Sequence, residues 1–150
     1  MCLPARAATP KDDSPDSHLL ISAFAGNLEG VQAALAEGAD INTRDDKSGQ
    51  TALMGSVLRG HVEVVRYFLD KDSGADTSIA EKDGFTPPHG AGFQGRAEIM
   101  RMLKEIAGLS LMEVHKDGYY PLHRACWGRN ERHTETVKYL LDEGIDVNLK

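Results

Sequence analysis

Gly118-Tyr-Tyr-Pro-Leu-His-Arg-Ala125 has two counterparts earlier in the chain, Gly84-Phe-Thr-Pro-Pro-His89 and Gly49-Gln-Thr-Ala-Leu-Met54. The three begin 35 and then 34 residues apart. Self-similarity at a period of roughly 20–50 residues marks units that cannot bury their apolar faces alone and therefore stack on one another. The 150 residues are read as a short array of such units.

Each unit has the same internal order. Ser17–Ala25 is a short apolar helical stretch, Gly26-Asn27 breaks it, and Leu28–Glu37 is a second helix stopped by Gly38. After Gly49 come Thr51–Arg59, Gly60-His61, Val62–Asp70 and Gly74-Ala-Asp, and the order returns after Gly84 and Gly118. Aligned on the inter-helix glycine, the outer helices give Val31, Val65, Met100 and Val137 in one column and Ala34, Phe68, Leu103 and Leu140 in another. These columns are expected to be buried. Opposite them, Glu63-Arg66, Glu98-Arg101 and Glu135-Lys138 are spaced for i,i+3 pairs on a solvated face. The inner helices place small residues where they pass close, Ser22, Ser56, Ala91 and Ala125, followed by Ala23, Val57, Gly92 and Cys126, so Cys126 is expected to be a small buried hydrophobe.

The formal charge of -6 argues against a phosphate-neutralising surface, and no apolar run approaches the roughly 20 residues of a membrane span. No signal or transit character precedes Asp12, Asp13 and Asp16, and two cysteines make no disulfide framework. An intracellular protein, cytoplasmic or nuclear, is expected. Residues 1–15 lack apolar periodicity and read as a flexible tail.

With Thr86-Pro-Pro-His89, Tyr120-Pro-Leu-His-Arg-Ala125, Gly60-His61 and Gly38-Ala-Asp-Ile-Asn42 in register, residues 17–150 resemble the ankyrin repeat family. The resemblance implies an all-α solenoid of four helix-turn-helix units with β-turn hairpins, over about 16–46, 47–81, 82–115 and 116–150. It also implies a non-catalytic module that binds a protein partner through its concave inner-helix and hairpin face.

On that face the position two residues before the inter-helix turn reads Phe24, Leu58, Phe93 and Trp127, with Gln94 beside Phe93; the residue after the repeat glycine adds Gln50, Phe85 and Tyr119. Large apolar side chains in such a row form a candidate interface, weighed against rings that merely cover neighbouring repeats. Arg44, Lys47, Glu81, Lys82, His115 and Lys116 are expected at hairpin tips, where mixed signs would give selectivity. Asn148 sits in an Asp-x-Asn pattern resembling the segment modified by asparaginyl hydroxylases in this family, with Leu140 eight residues before it; Asn42 has Ala34 there. Hairpin hydrogen bonding is the simpler role for both.

Departures from the repeat pattern carry expectations of their own. The three extra residues in Gly128–His133 should form a protruding loop, Gly90, Gly92 and Gly95 should weaken the third inner helix, and Lys104 in a leucine column should loosen the third outer one. His61 and His133, at the turn before the outer helix, are expected to bond locally. The last helix carries Val137, Tyr139, Leu140 and Leu141 without a polar cap, so the chain should continue or pack against another surface.

No phosphate loop or nucleophile elbow is present, and no cofactor, nucleic acid, membrane or small-molecule substrate is expected. Two alternatives stand beside the binding module: a regulatory segment of a larger enzyme, and a minor metal or thiol site at His89, His123 and Cys126, which zinc would want completed to four convergent ligands.

Overall fold

A computed structural model describes residues 13–149. Eight helices occur among the described residues, α1 Pro15–Ala25, α2 Leu28–Ala36, α3 Ala52–Arg59, α4 Val62–Leu69, α5 Pro87–Gln94, α6 Ala97–Glu105, α7 Pro121–Cys126 and α8 Glu131–Asp142. They form four antiparallel pairs, with inner helices α1, α3, α5, α7 packing in series and outer helices α2, α4, α6, α8 behind them. The all-α stack is as the repeat predicts. The first helix starts earlier than expected: Ser14 caps it by accepting from Ser17 N, and Pro15 fits the first helical position, where a missing N–H costs nothing. The rest of the expected tail, residues 1–12, lies outside the described residues.

Turn chemistry separates the helices of a pair. Gly26, Gly60 and Gly95 end α1, α3 and α5 in the left-handed conformation that glycine adopts without strain. A side chain at the start of the next outer helix, the N-cap of α4 and α6 and the third residue of α8, reaches across to the preceding repeat: His61 Nε2 donates to the Phe24 carbonyl at 2.9 Å, Arg96 Nη2 to the Leu58 carbonyl at 3.1 Å, and His133 Nε2 to the Phe93 carbonyl at 2.8 Å. The histidine bonds therefore tie one repeat to the next, and the expectation of local bonding is corrected. A carbonyl in the last turn of an inner helix lacks an intrahelical donor, and here the neighbouring repeat supplies one.

The columns are buried as expected at Val31, Val65, Met100, Ala34, Phe68, Leu103 and Leu140. Val137 is only half-buried, because among the described residues no outer helix packs beyond α8. The same geometry corrects Cys126, which is exposed: α1, α3 and α5 each pack against a following inner helix, and among the described residues α7 has none after it. The expected loop at Gly128–His133 is only half present, at Gly128–Asn130. Its second half is helical and lengthens α8 to 12 residues.

The expected i,i+3 charge pairs are replaced by others. Arg66 reaches Glu98 of the next repeat at 3.9 Å, Arg101 lies over the Tyr139 ring of the next repeat at 5.0 Å, and Lys138 pairs with Asp142 at 3.5 Å. Lys104 does not loosen α6, since it pairs with Glu143 beside α8 while Ile99, Met100, Met102 and Leu103 remain buried.

Candidate functional site

Three hairpins project from the stack, each closed by two backbone bonds: Asp45 N to Gln50 O and Gly49 N to Asp45 O, Glu81 N to Phe85 O and Gly84 N to Glu81 O, and His115 N to Tyr119 O and Gly118 N to His115 O. The first two are joined by Lys82 N donating to Ser48 O and by Arg44 Nη2 donating to Ala80 O. His115 Nε2, donating to the Asp83 carbonyl at 2.9 Å, joins the third. The hairpins and inner helices together form a continuous wall.

The row Phe24, Leu58, Phe93 and Trp127 is not evenly exposed. Phe24, Leu58 and Phe93 are half-buried, whereas Trp127 is 52% exposed. Each of the first three leans on the following inner helix: Phe24 lies against Gly55 and under Arg59, Leu58 against Gly90, and Phe93 against Arg124. Trp127 has no such cover. It meets Tyr119, which is 42% exposed, edge to face with centroids 4.9 Å apart, and Phe93 at 6.4 Å. Phe85 contacts Phe93 edge to face at 5.3 Å and stacks on His115 at 4.0 Å.

At the centre of these rings is a residue that the repeat pattern did not single out. The Arg124 guanidinium lies 4.9, 5.0, 5.3 and 4.9 Å from the centroids of Phe85, Phe93, Tyr119 and Trp127. Arg124 is buried, and its Nη2 donates to Asp117 Oδ2 at 2.5 Å. That bond, above all, holds the Asp117 carboxyl well below the usual carboxylate range. The available signal was the column itself: Ile21, Gly55 and Gly90 occupy the equivalent position, so a cation there is the exception.

A family model described as ankyrin repeats (3 copies) matches residues 18–108 and again 73–150. The chain belongs to the ankyrin repeat family. Similar proteins include Ankyrin repeat and SAM domain-containing protein 6 of Mus musculus, 32% identical over 71% of this chain and 12% of its own length. A putative ankyrin repeat protein of Rickettsia felis is 28% identical over 83% of this chain and 40% of its own. Diacylglycerol kinase zeta of Rattus norvegicus is 33% identical over 92% of this chain and 15% of its own. The chain spans less than half the length of each.

Within the ankyrin stack the expected hairpin tips divide. Arg44, Lys47, Lys82 and Lys116 are exposed, but Glu81 is turned inward, where Oε1 accepts from Asp83 N and Phe85 N. His115 is not at a tip: it is buried under Phe85, with Nδ1 3.0 Å from Asp117 Oδ1. Hydrogen bonding takes both of these away from the tip set, while Asp46 and Asp83 stand exposed beside the lysines. Gln94 is half-buried, and its carbonyl accepts from Arg132 Nε at 2.8 Å.

Asn42 uses its side-chain amide to join two ankyrin hairpins, donating to Gly74 O at 3.4 Å and accepting from Asp76 N at 2.7 Å. Asn148 is exposed, and its backbone N–H donates to Asp146 Oδ1. His89 bonds Thr86 Oγ1 at 3.0 Å, and burial pushes its pKa down. His123 Nδ1 accepts from Tyr120 N and its Nε2 donates to Leu149 O. Burial of part of the Cys126 thiol pushes its pKa up, which disfavours the thiolate that a metal or redox site would use. Among the described residues, no three His, Cys, Asp or Glu side chains gather where one ion could be held.

Proposed function

We propose that the chain binds a protein partner through the concave wall at its third and fourth repeats, with Trp127 and Tyr119 as the anchors. Ankyrin repeats are protein-interaction modules, and such domains are generally non-catalytic. The observation that supports this face is the pair of adjoining rings, each more than two-fifths exposed, continuous with the half-buried Phe93 and Phe85. Rigid aromatic side chains carry a large share of binding energy in interfaces. Leu58 and Phe24 extend the wall toward the first repeat, and Lys47, Lys82, Lys116 and Arg44 border it. A depression of about 460 Å³ lies elsewhere, between Leu28 and Tyr67, and contains none of these residues.

The deciding experiment is affinity capture by the wild-type chain against a Tyr119→Ala/Trp127→Ala variant. Both residues are exposed, so the fold should be unaffected, and a partner retained equally by both chains would rule this face out. A regulatory segment of a larger enzyme is a second reading, supported by the similarity to diacylglycerol kinase zeta. Hydroxylation at Asn148 remains a separate proposal, resting on its exposure; a mass increase of one oxygen on its tryptic peptide after treatment with an asparaginyl hydroxylase tests it.

A further inference from the structure

The rings of the proposed partner face enclose a cation whose hydrogen-bonding capacity is mostly unused. Resting on that reading, we propose that the partner inserts a carboxylate side chain, Glu or Asp, between Trp127, Tyr119 and Phe93 to meet Arg124.

A guanidinium has five N–H donors in a rigid plane and no acceptor. Arg124 is 3% exposed, and only Nη2 is used, by Asp117 Oδ2 at 2.5 Å and by His115 Nδ1 at 3.4 Å. Nε is sealed from solvent without an acceptor, and Nη1 has none among the described residues. The surrounding rings support the positive charge, but they supply no conventional acceptor for these N–H groups. A buried donor left unmade is costly, more so on a charged group.

The fold does not call for a side chain in this position. The equivalent residues of the second and third repeats, Gly55 and Gly90, have none, and the space beside them is filled by Phe24 in one case and by Met54 and Leu58 in the other. In the fourth repeat the slot instead holds a cation under four rings, at the one place where the aromatic wall is open. A carboxylate arriving there would complete the guanidinium with charge-assisted bonds, in surroundings drier than bulk water.

Charge favours a carboxylate over a neutral carbonyl. From Leu111 to Asn130, the hairpin and helix that carry Tyr119, Arg124 and Trp127, the fixed charges are Lys116, Arg124 and Arg129 against Glu113 and Asp117. Three positive and two negative leave an excess of one positive charge, in a chain whose formal net charge is -6. Asp117 already occupies one edge of the guanidinium, so an incoming carboxylate takes the edge at Nη1.

The test uses three immobilised heptapeptide libraries, acetylated and amidated, with a fixed central Glu, Gln or Lys and random flanks. The wild-type chain should be retained by the Glu library at least about tenfold more strongly than by the Gln library, a difference of about 1.4 kcal/mol, and least by the Lys library. Arg124→Met, which keeps an apolar stem without the charge, should abolish the Glu preference. Asp117→Asn, which removes the competing anion, should increase it, and this variant decides the matter if circular dichroism shows that Arg124→Met does not fold. Equal retention of Glu and Gln, retention of neither, or a Glu preference unchanged in Asp117→Asn overturns the proposal. Equal retention that is nevertheless lost in Tyr119→Ala/Trp127→Ala removes the carboxylate while leaving the partner face intact.

Discussion

A Cβ placed on Gly92 would lie 2.6 Å from the Pro121 carbonyl oxygen, a backbone atom of the next inner helix that cannot move aside. On Gly90 it would meet Met54 Cε at 2.9 Å, the end of a flexible side chain. Alanine is better than glycine in a helix by about 1 kcal/mol, yet Gly92→Ala should lose roughly 1–3 kcal/mol to overpacking, while Gly90→Ala should change stability by less than about 1 kcal/mol. Urea midpoints of the two variants separate these outcomes, and equal losses would contradict the argument. Asp117 gives a second residue-scale expectation. Its folded pKa is lowered chiefly by the Arg124 bond, so its contribution is fully present above the unfolded carboxyl value of about 4 and is lost as pH falls toward the folded one. The stability gap between wild type and Asp117→Asn should be constant above about pH 5 and close progressively in acid, as followed by denaturation at a series of pH values. A gap that persists unchanged at the lowest pH would mean that the ion pair is not its source.

At the scale of the element, one alignment column behaves differently along the stack. Leu69 is 4% exposed within α4, but Leu141 is 41% exposed on α8. Leu69→Ala should therefore cost about 2–5 kcal/mol, and Leu141→Ala under about 1 kcal/mol, by the same thermal or urea measurement. Column reasoning from sequence treats the two as equals, because a repeat pattern records a position within a unit and not whether another unit covers it. For that reason the helices, their order and most of the buried stripe were legible, while the exposure of Cys126 and the half-burial of Val137 were not. Arg124 escaped for a related reason: two glycines and an arginine in one column share no chemistry, and only the packed rings show what the position faces. The pairs expected at i,i+3 failed because a stacked neighbour offers Glu98 and Tyr139 as competing partners for Arg66 and Arg101. Part of the extra segment before His133 joined α8 instead of looping out, which its length alone did not reveal.

For the whole molecule, the single tryptophan reports on the partner face and on the last repeat together. Trp127 should show an emission between buried and fully exposed values, and iodide should quench it in the folded chain; a fully shielded signal would count against the open aromatic wall. Acid should act on the molecule in two stages. His89 is kept neutral mainly by burial, so its folded pKa lies below the unfolded value of about 6.5. Between those two values the unfolded chain binds the extra proton, and stability should decline as pH falls below about 6.5, before Asp117 contributes its own loss nearer pH 4. Replacing His89 with Asn should flatten the first stage only.

The bonds from His61, Arg96 and His133 to Phe24, Leu58 and Phe93 all run in one direction, from the later repeat back to the earlier. The second and third units thus each have a plug on one side and a socket on the other, as in a connector that mates in only one orientation. A unit cut from the middle of the array and spliced elsewhere would find the same socket, whatever its groove residues. Binding residues can consequently be exchanged by swapping whole units, with the joints left unchanged.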